Sequence, residues 1–235
     1  MTGRVPAAPA GQAPQTDRVL TVPPEFVRAH TRPVRPALVP EVELLVAADV
    51  VALWEAMETQ HGRTSTDPPF WAAAWPGGQA LARYVLDHPE LVAGRTVLDL
   101  GAGSGLVAVA AARAGAAAVL ASDVDPFALT AVTVNAELNG TPGITPVGDV
   151  LGDEPPDVGV ILAGDVCYDR EMTDRVLPFL DAARAGGAEV LIGDPGRIYL
   201  PEDRLAALAV YDVPDTEPSP TRPAAVRRTT VWRLP

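Results

Sequence analysis

An apolar run, Thr96–Leu100, leads directly into a turn that holds Gly101, Gly103 and Gly105, and the following residues predict a helix over Leu106–Arg113. Glycine has no Cβ, so the turn can bend sharply and let a bound molecule approach its backbone amides. A strand joined to a helix by such a turn is a unit of open α/β sheets. We therefore predict a ligand at this turn, although a plain strand-to-helix connection can carry the same glycines.

The spacing of the glycines separates two classes of cofactor. A dinucleotide-binding turn follows the pattern G-x-G-x-x-G, whereas here Leu106 stands where the third glycine belongs. Asp99 precedes the turn and Asp123 closes the next apolar segment. Carboxylates at these two places suit a nucleoside that carries a cationic group, because they bind ribose hydroxyls and cations strongly. S-adenosylmethionine fits better than NAD and is the cofactor that we expect.

From this turn onward the chain alternates between strand and helix patterns. Strands are predicted at 96–100, 118–122, 144–147, 158–163 and 189–192, and helices at 106–113, 126–138 and 171–184. This alternation is typical of a parallel sheet covered by helices on both faces. Two last strands, 208–213 and 229–233, are separated only by a proline-rich loop, so they should form an antiparallel hairpin at one edge. The predicted fold class is α/β, a Rossmann-like doubly wound sheet with an antiparallel C-terminal strand.

The chain divides into three predicted parts. Residues 1–40 contain eight prolines and no apolar period, which predicts a disordered tail. Residues 41–95 are interpreted as a small layer of strand and helix packed on the core, in which Asp49 caps a helix. Residues 96–235 form the predicted cofactor-binding core. On this division, a chain that begins near Ala37 should still fold and bind the cofactor.

Charge and composition bear on the partners and the location. The 235 residues carry a formal net charge of −12, which disfavours nucleic acid and favours a cationic target. No apolar run predicts a membrane span, and no secretory or transit signal is recognised, so we expect a cytoplasmic monomer without membrane contact. The single cysteine and three histidines lack the spacing of a metal site, and no metal is expected.

Five successive predicted strands end in, or lead into, an acid: Asp99, Asp123, Asp149, Asp165 and Asp194. Turn preference explains one or two of them, but the carboxyl ends of parallel strands meet at one edge, where such sheets bind ligands. Asp123 is assigned to the two ribose hydroxyls, Asp149 to the adenine amino group, and Asp99 to the sulfonium or amino end. Trp75 offers a stacking wall unless it belongs to the core. The predicted cofactor-binding residues are Trp75, Asp99, Gly101, Ala102, Gly103, Gly105, Asp123, Val124, Asp149 and Gly164.

Several segments resemble a known family. Residues 97–105 (VLDLGAGSG) and 122–126 (SDVDP) resemble the motifs of class I, seven-strand methyltransferases. Residues 69–79 (PFWAAAWPGGQ), 164–169 (GDVCYD) and 191–197 (LIGDPGR) narrow the resemblance to the protein-lysine methyltransferases that modify the β subunit of electron transfer flavoprotein. The resemblance runs from about residue 40 to residue 232. It implies a seven-strand sheet and transfer of methyl groups from S-adenosylmethionine to lysine side chains of that subunit.

The family's acid-x-x-aromatic motif falls on Asp165 and Tyr168, which the resemblance places where the target lysine enters. These two are the predicted catalytic residues. Asp165 is assigned to capturing and orienting the amine rather than to a certain role as base, because a nearby carboxylate favours the charged amine. Tyr168 is assigned to a cation–π contact or a hydrogen bond with the amine, the alternative being a half-buried ring. Asp194 and Arg197 are predicted to form an adjoining lip, with Arg197 available to a carboxylate of the protein substrate, unless they form a plain turn.

Other functions remain open at this point. A small-molecule N-methyltransferase would close the N-terminal layer and the lip over its substrate, and a methyltransferase of the same chemistry could act on another protein. A non-catalytic adenosyl-binding module is a third alternative, for which eroded acids or glycines are expected, whereas both are present here.

Overall fold

The computed structural model describes residues 22–62, 67–214 and 226–235. The strands in these ranges are β1 (Thr31–Val34), β2 (Leu44–Ala47), β3 (Thr96–Leu100), β4 (Ala118–Ser122), β5 (Ile144–Val147), β6 (Val160–Gly164), β7 (Glu189–Asp194), β8 (Ala206–Pro214) and β9 (Val226–Arg233). The α-helices are α1 (Pro24–His30), α2 (Val50–His61), α3 (Pro76–Asp87), α4 (Leu106–Arg113), α5 (Pro126–Leu138) and α6 (Arg170–Ala185). Short 3₁₀ turns occupy Phe70–Ala72, Pro89–Leu91 and Glu202–Arg204.

Strands β3 to β9 form one sheet in the order β5-β4-β3-β6-β7-β9-β8. The strands from β5 to β7 run parallel, and β9 lies antiparallel to both of its neighbours, β7 and β8. The strand order reverses at β3, because β4 and β5 extend the sheet on one side and β6 and β7 on the other. Open α/β sheets bind ligands outside the carboxyl ends of their strands at such a switch point. The predicted fold class, the seven strands and the antiparallel C-terminal strand are confirmed; the predicted loop at 214–223 lies largely outside the described residues.

Two hydrophobic clusters cover the two faces of the sheet, since alternate side chains of a strand point in opposite directions. Val97 and Leu162 contribute to the cluster that includes the buried residues of α3 and α4. Leu98 and Ile161, their immediate neighbours in sequence, belong to the cluster of α6. The central strands β3, β6 and β7 are therefore buried on both faces, as their near-continuous apolar sequences predict.

The N-terminal layer begins earlier than the sequence analysis predicts. Residues 22–40 are not a disordered tail, because they include α1 and β1, and β1 pairs antiparallel with β2. Val27 is fully buried, and the ring centroids of Phe26 and Phe127 lie 5.1 Å apart. Proline did not prevent this structure because Pro24 occupies the first turn of α1, where its missing N–H costs nothing. Residues 1–21, the rest of the predicted tail, lie outside the described residues.

Local signals set the helices that flank the site. The Asp49 carboxylate caps α2 by accepting the N–H groups of Val51 and Ala52 at 2.9 and 3.0 Å, as predicted. Helix α3 starts at Pro76, directly after Trp75, and therefore brings the Trp-Pro-Gly-Gly segment to its N-terminus. None of the helices in the described ranges combines the length and the apolar character needed to cross a membrane.

Candidate functional site

The glycine turn after β3 has the left-handed backbone conformation that suits its three glycines. Gly101, Gly103 and Gly105 have φ values of +68°, +51° and +78°, a region that residues with a Cβ rarely adopt. The backbone N–H of Ala102 donates to the Ser122 carbonyl at 2.9 Å, which ties the turn to the end of β4. The turn is therefore held rigidly at the switch point of the sheet.

Asp99 and Asp123 hold this turn from both sides. The Asp99 carboxylate accepts the N–H of Ala108 in the first turn of α4 at 2.9 Å. The Asp123 carboxylate accepts the N–H of Gly103 at 2.9 Å and that of Asp125 at 3.0 Å. Burial raises the pKa of Asp99 to about 7, an effect that the Ala108 N–H opposes and the nearby Asp123 charge reinforces. Burial likewise raises the pKa of Asp123.

A cleft of about 350 Å³, counting its open mouth, runs from the glycine turn to the carboxyl end of β6. Seven residues of its lining belong to the predicted set: Trp75, Asp99, Gly101, Ala102, Gly103, Gly164 and Asp165. The lining fits S-adenosylmethionine: the glycines leave room for its close approach to the turn, the Asp99 carboxylate suits a cationic group, and Trp75 offers an apolar wall. No group of three or more metal-ligating side chains occurs in the described ranges.

Four predicted cofactor residues lie outside this lining: Gly105, Asp123, Val124 and Asp149. Gly105, at the amino end of α4, packs against Val132 of α5. Val124 is exposed beside Asp123, where a ribose or base could lie against it. Asp149 bonds Arg175 through Oδ2 at 2.6 Å and the N–H of Leu151 through Oδ1 at 2.9 Å. The contact of Asp149 with the adenine amino group stays a prediction.

Asp165 joins the cleft to the proposed entry of the amine. It is the one residue with a side chain and a positive φ, +58°, among the described residues, and such strain commonly marks functional sites. Its Oδ2 accepts the N–H of Gly78 in the first turn of α3 at 2.9 Å, and its Oδ1 accepts an Nη2 hydrogen of Arg197 at 2.8 Å. Burial raises the pKa of Asp165, while Arg197 and the amides of Gly77 and Gly78 oppose the rise.

Arg197 of the predicted lip pairs with an internal carboxylate in this structure, and the contact of the lip with the substrate stays a prediction. The fully buried Asp194 closes the turn by accepting the N–H groups of Gly196 and Arg197 through Oδ1 at 2.8 and 2.7 Å. The Arg197 guanidinium pairs with Asp165 and lies 5.9 Å from the centre of the Trp75 ring. In this conformation Arg197 is therefore not available to a carboxylate of the substrate, because it is already paired with the Asp165 carboxylate.

Aromatic side chains surround the mouth of the cleft. Trp75 is 38% exposed and donates its indole N–H to the Phe70 carbonyl at 2.7 Å, so it is a wall of the site and not part of the core. Tyr168 is 46% exposed, and its ring centre lies 6.2 Å from that of Phe70. Partial burial and neighbouring acids raise the pKa of the Tyr168 hydroxyl, which keeps it protonated as a hydrogen-bond donor. Tyr168 is not part of the cleft lining, and its place at the entry of the target lysine stays a prediction.

The sequence analysis missed the role of α3 in building the site. A Cβ on Gly77 would collide with the Gly193 carbonyl, and one on Gly164 would lie 2.9 Å from the Gly78 Cα. These glycines let the N-terminus of α3 touch the ends of β6 and β7, so that the N–H of Gly78 reaches Asp165. Paired glycines after a proline at a helix start were the available signal. The remaining cleft residues that were missed are Ala73, Gly78, Ser104, Leu106 and Val107.

A larger and more open groove lies elsewhere, where Arg204 and Asp181 pair beside the C-terminal Leu234 and Pro235. Leu234 bonds the backbone of Val190 near the amino end of β7, so this groove is at the wrong end of the strands for a doubly wound site. We assign the functional site to the smaller cleft, because the glycine turn and the strand-end acids converge there.

The chain is similar to known methyltransferases. A family model of ribosomal protein L11 methyltransferase matches residues 80–167. The electron transfer flavoprotein beta subunit lysine methyltransferase of Danio rerio is 40% identical, over 77% of this chain and 71% of the relative. The human protein of the same name is 37% identical, over 80% of this chain and 73% of the relative.

Among solved structures, a "putative RNA methyltransferase" of Pyrococcus horikoshii superposes with a TM-score of 0.52 at 17% identity. The match covers 77% of this chain and 94% of the other. At this identity the likeness supports the fold and carries no argument about the substrate.

Proposed function

Because this chain belongs to the family of electron transfer flavoprotein β-subunit lysine methyltransferases, we propose that it methylates lysine side chains of that subunit, with S-adenosylmethionine as donor. The observation that carries the proposal is the position of Asp165, which lines the cleft together with the exposed Trp75 and precedes the exposed Tyr168 by three residues. An acid with aromatic neighbours at the mouth of a cofactor cleft suits a cationic amine.

The bound cofactor would supply a methyl group on a sulfonium, which is reactive towards a neutral amine. Asp99 and the glycine turn would hold that end of the molecule, and Asp123 would accept hydrogen bonds from the ribose hydroxyls. Trp75 would cover the cleft and exclude water from the reacting atoms. The predicted functions of these residues as cofactor ligands remain part of the proposal.

The lysine must lose a proton before it attacks. A free lysine has a pKa of about 10.4, so its deprotonation near neutral pH costs roughly 4–5 kcal/mol. Asp165 attracts the ammonium and fixes its direction, and the proton leaves to water or to this buried carboxylate, whose pKa is raised. Tyr168 holds the amine through its ring or its hydroxyl. Positioning and desolvation supply the rest of the catalysis.

The test uses purified electron transfer flavoprotein β subunit, the enzyme and S-adenosylmethionine, followed by mass spectrometry of the peptides. We expect mass increments of about 14 Da, one CH₂ per methyl group, on lysine residues. Asp165→Ala is expected to abolish them while S-adenosylmethionine still binds in calorimetry. Tyr168→Phe separates the ring from the hydroxyl, since retained activity assigns the residue to cation–π holding.

Two other results would change the assignment. If a lysate with labelled cofactor yields a labelled small metabolite and no labelled protein, the enzyme is a small-molecule N-methyltransferase. If a different protein is labelled, the chemistry stands and the substrate changes. The proposal keeps the expectations of a cytoplasmic monomer that acts on no nucleic acid, which the net charge of −12 supports.

A further inference from the structure

Three charged side chains, Asp165, Arg197 and Asp194, meet behind the proposed entry of the amine. Both oxygens of Asp165 are occupied, Oδ2 by the N–H of Gly78 and Oδ1 by the Arg197 guanidinium. The Gly78 amide belongs to the backbone of α3 and is fixed, because glycine contacts hold that helix on β6 and β7. An arriving ammonium therefore competes with the Arg197 guanidinium for the nearly buried Asp165 carboxylate.

The Arg197 guanidinium already occupies the place expected for the substrate cation. It bonds the carboxylate assigned to the amine, and it lies 5.9 Å from the centre of the Trp75 ring, within the range of a cation–π contact. Its side chain remains 28% exposed, so a residue that approaches from solvent can reach it. In the absence of substrate, the Arg197 guanidinium therefore occupies the place proposed for the lysine ammonium.

Asp194 offers a second partner for the displaced guanidinium. Its Oδ2 and the Arg197 Nε are both buried and without a hydrogen-bond partner in the described part of the chain. These two atoms face each other at 3.9 Å. Closing that gap to an ordinary N–H···O distance of about 2.9 Å requires a movement of only about 1 Å and satisfies both atoms.

The charge balance of the cluster also favours binding of a substrate cation. Two buried carboxylates share a single guanidinium, which leaves one negative charge in excess when both are ionised. Burial and the proximity of Asp165 raise the pKa of Asp194 to about 6, while the turn amides and Arg197 oppose the rise. A substrate ammonium supplies the missing positive charge and gives each carboxylate a cation of its own.

We propose that Arg197 is a positioning residue that holds Asp165 in the substrate-free enzyme and transfers to Asp194 when the target lysine arrives. This inference rests on the proposed function, since it needs an amine acceptor at Asp165. Arg197 acts only through the two carboxylates and does not touch the methyl group. Its planar fork is required, because one edge must release Asp165 while Nε engages Asp194.

The test measures steady-state kinetics with the electron transfer flavoprotein β subunit at saturating S-adenosylmethionine. Asp194→Asn removes the second partner and is expected to raise the KM for the protein substrate by about tenfold. Arg197→Met removes the competing cation and should not raise that KM. The double variant should have the KM of Arg197→Met alone, because no guanidinium is left to displace.

Arg197→Lys gives an independent comparison that does not depend on the folding of the Asp194 variant. A lysine can hold Asp165 but has no second edge for Asp194, so its KM should rise as in Asp194→Asn. Arg204→Met, which breaks an exposed pair with Asp181 far from the cleft, is the matched control and should leave KM and kcat unchanged. The dissociation constant of S-adenosylmethionine should stay within about twofold in every variant.

The outcomes separate the two proposals. The transfer of Arg197 is overturned if the effects of Asp194→Asn and Arg197→Met on KM are additive, or if Arg197→Lys and Arg197→Met have equal KM values. Methylation of the substrate by the wild type would still support the proposed function in that case. If the wild-type enzyme methylates no protein, the proposed function fails, and the role of Arg197 fails with it.

Discussion

The carboxylates at the ends of β3, β4, β6 and β7 share a residue type but differ in the groups that hold them. Asp99 accepts the N–H of Ala108 in α4 and Asp123 that of Gly103 in the glycine turn, so both shape the proposed cofactor cleft. Asp165 and Asp194 share the Arg197 guanidinium, so they form a charged cluster at the amine entry. The proposed assignment of these acids to the cofactor or to the substrate therefore follows from their hydrogen-bond partners and not from residue type.

Asp123→Ala is expected to weaken S-adenosylmethionine binding by tenfold or more. The variant loses the acceptor proposed for the ribose hydroxyls and also the bond that orients the N–H of Gly103. Hydrogen bonds to a charged group contribute about 1.5–3 kcal/mol each, and 1.4 kcal/mol is about a factor of ten in affinity. Calorimetric titration of the folded variant measures the change. Wild-type affinity would remove Asp123 from the cofactor site.

Asp99 should make the stability of the cofactor-free enzyme depend on pH. Its folded pKa of about 7 lies above the unfolded value of about 3.8, so the folded state binds the proton more tightly. The contribution of Asp99 to the free energy of unfolding is therefore fully present below about pH 4 and is lost as the pH rises through about 7. Asp99→Asn keeps an oxygen for the Ala108 N–H and removes the titration.

Urea unfolding of wild type and Asp99→Asn at acidic and mildly alkaline pH measures this effect. When the pH is raised from acidic to mildly alkaline, the wild type should lose more unfolding free energy than the variant, by on the order of 2–4 kcal/mol. The same difference at both pH values would show that Asp99 does not titrate in the folded state over this range.

At the scale of elements, the N-terminus of α3 is the part of the site that depends on the closest packing. Gly77 and Gly193 touch through their backbones, and Gly164 meets Gly78 in the same way. This contact places a helix N-terminus, with its partial positive charge and free amides, directly on the Asp165 carboxylate. The strained φ of Asp165 and the contact of α3 with the sheet are therefore parts of one arrangement.

Gly77→Ala tests this packing against Gly78→Ala as a matched control. The added methyl at Gly77 meets the Gly193 carbonyl and the Asp165 carboxylate, whereas at Gly78 it meets only a Val107 methyl at 3.9 Å. Overpacking of this kind typically costs about 1–3 kcal/mol, so the first variant should unfold at a lower temperature than the second. Thermal unfolding followed by circular dichroism measures both. Equal midpoints would show that the contact yields at little cost.

The elements that the sequence predicted well are those with a strong local signal. The apolar run of β3, the glycine turn and the proline start of α5 all lie where they were predicted, because each carries its own pattern. The pairing of Arg197 with Asp165 spans 32 residues and depends on how β6 and β7 align, which no local pattern encodes. The helix α1 was missed because its prolines resemble those of a tail, although they only start the helix.

At the scale of the whole molecule, the N-terminal layer supports the cofactor site through α5. Asn135 is fully buried and accepts the N–H of Leu45 in β2 at 2.9 Å. Its amide donates to the Ser104 carbonyl in the glycine turn at 2.8 Å. One side chain of α5 thus connects the layer to the turn that is proposed to bind the cofactor.

Removal of residues up to 36 should therefore destabilise the enzyme and weaken S-adenosylmethionine binding, contrary to the sequence-based expectation for a chain that begins at Ala37. The deletion removes β1, the pairing partner of β2, and the buried Val27. Each large apolar side chain taken from the core costs about 1.5–3 kcal/mol, and a loosened β2 no longer fixes Asn135 against the glycine turn. A chain that begins at Val22 keeps every described contact and is the control. Thermal unfolding and calorimetry of the two chains measure the effect: equal midpoints and equal affinities would restrict the working domain to the part that follows β1, whereas a loss in the shorter chain alone makes α1 and β1 part of the enzyme's core.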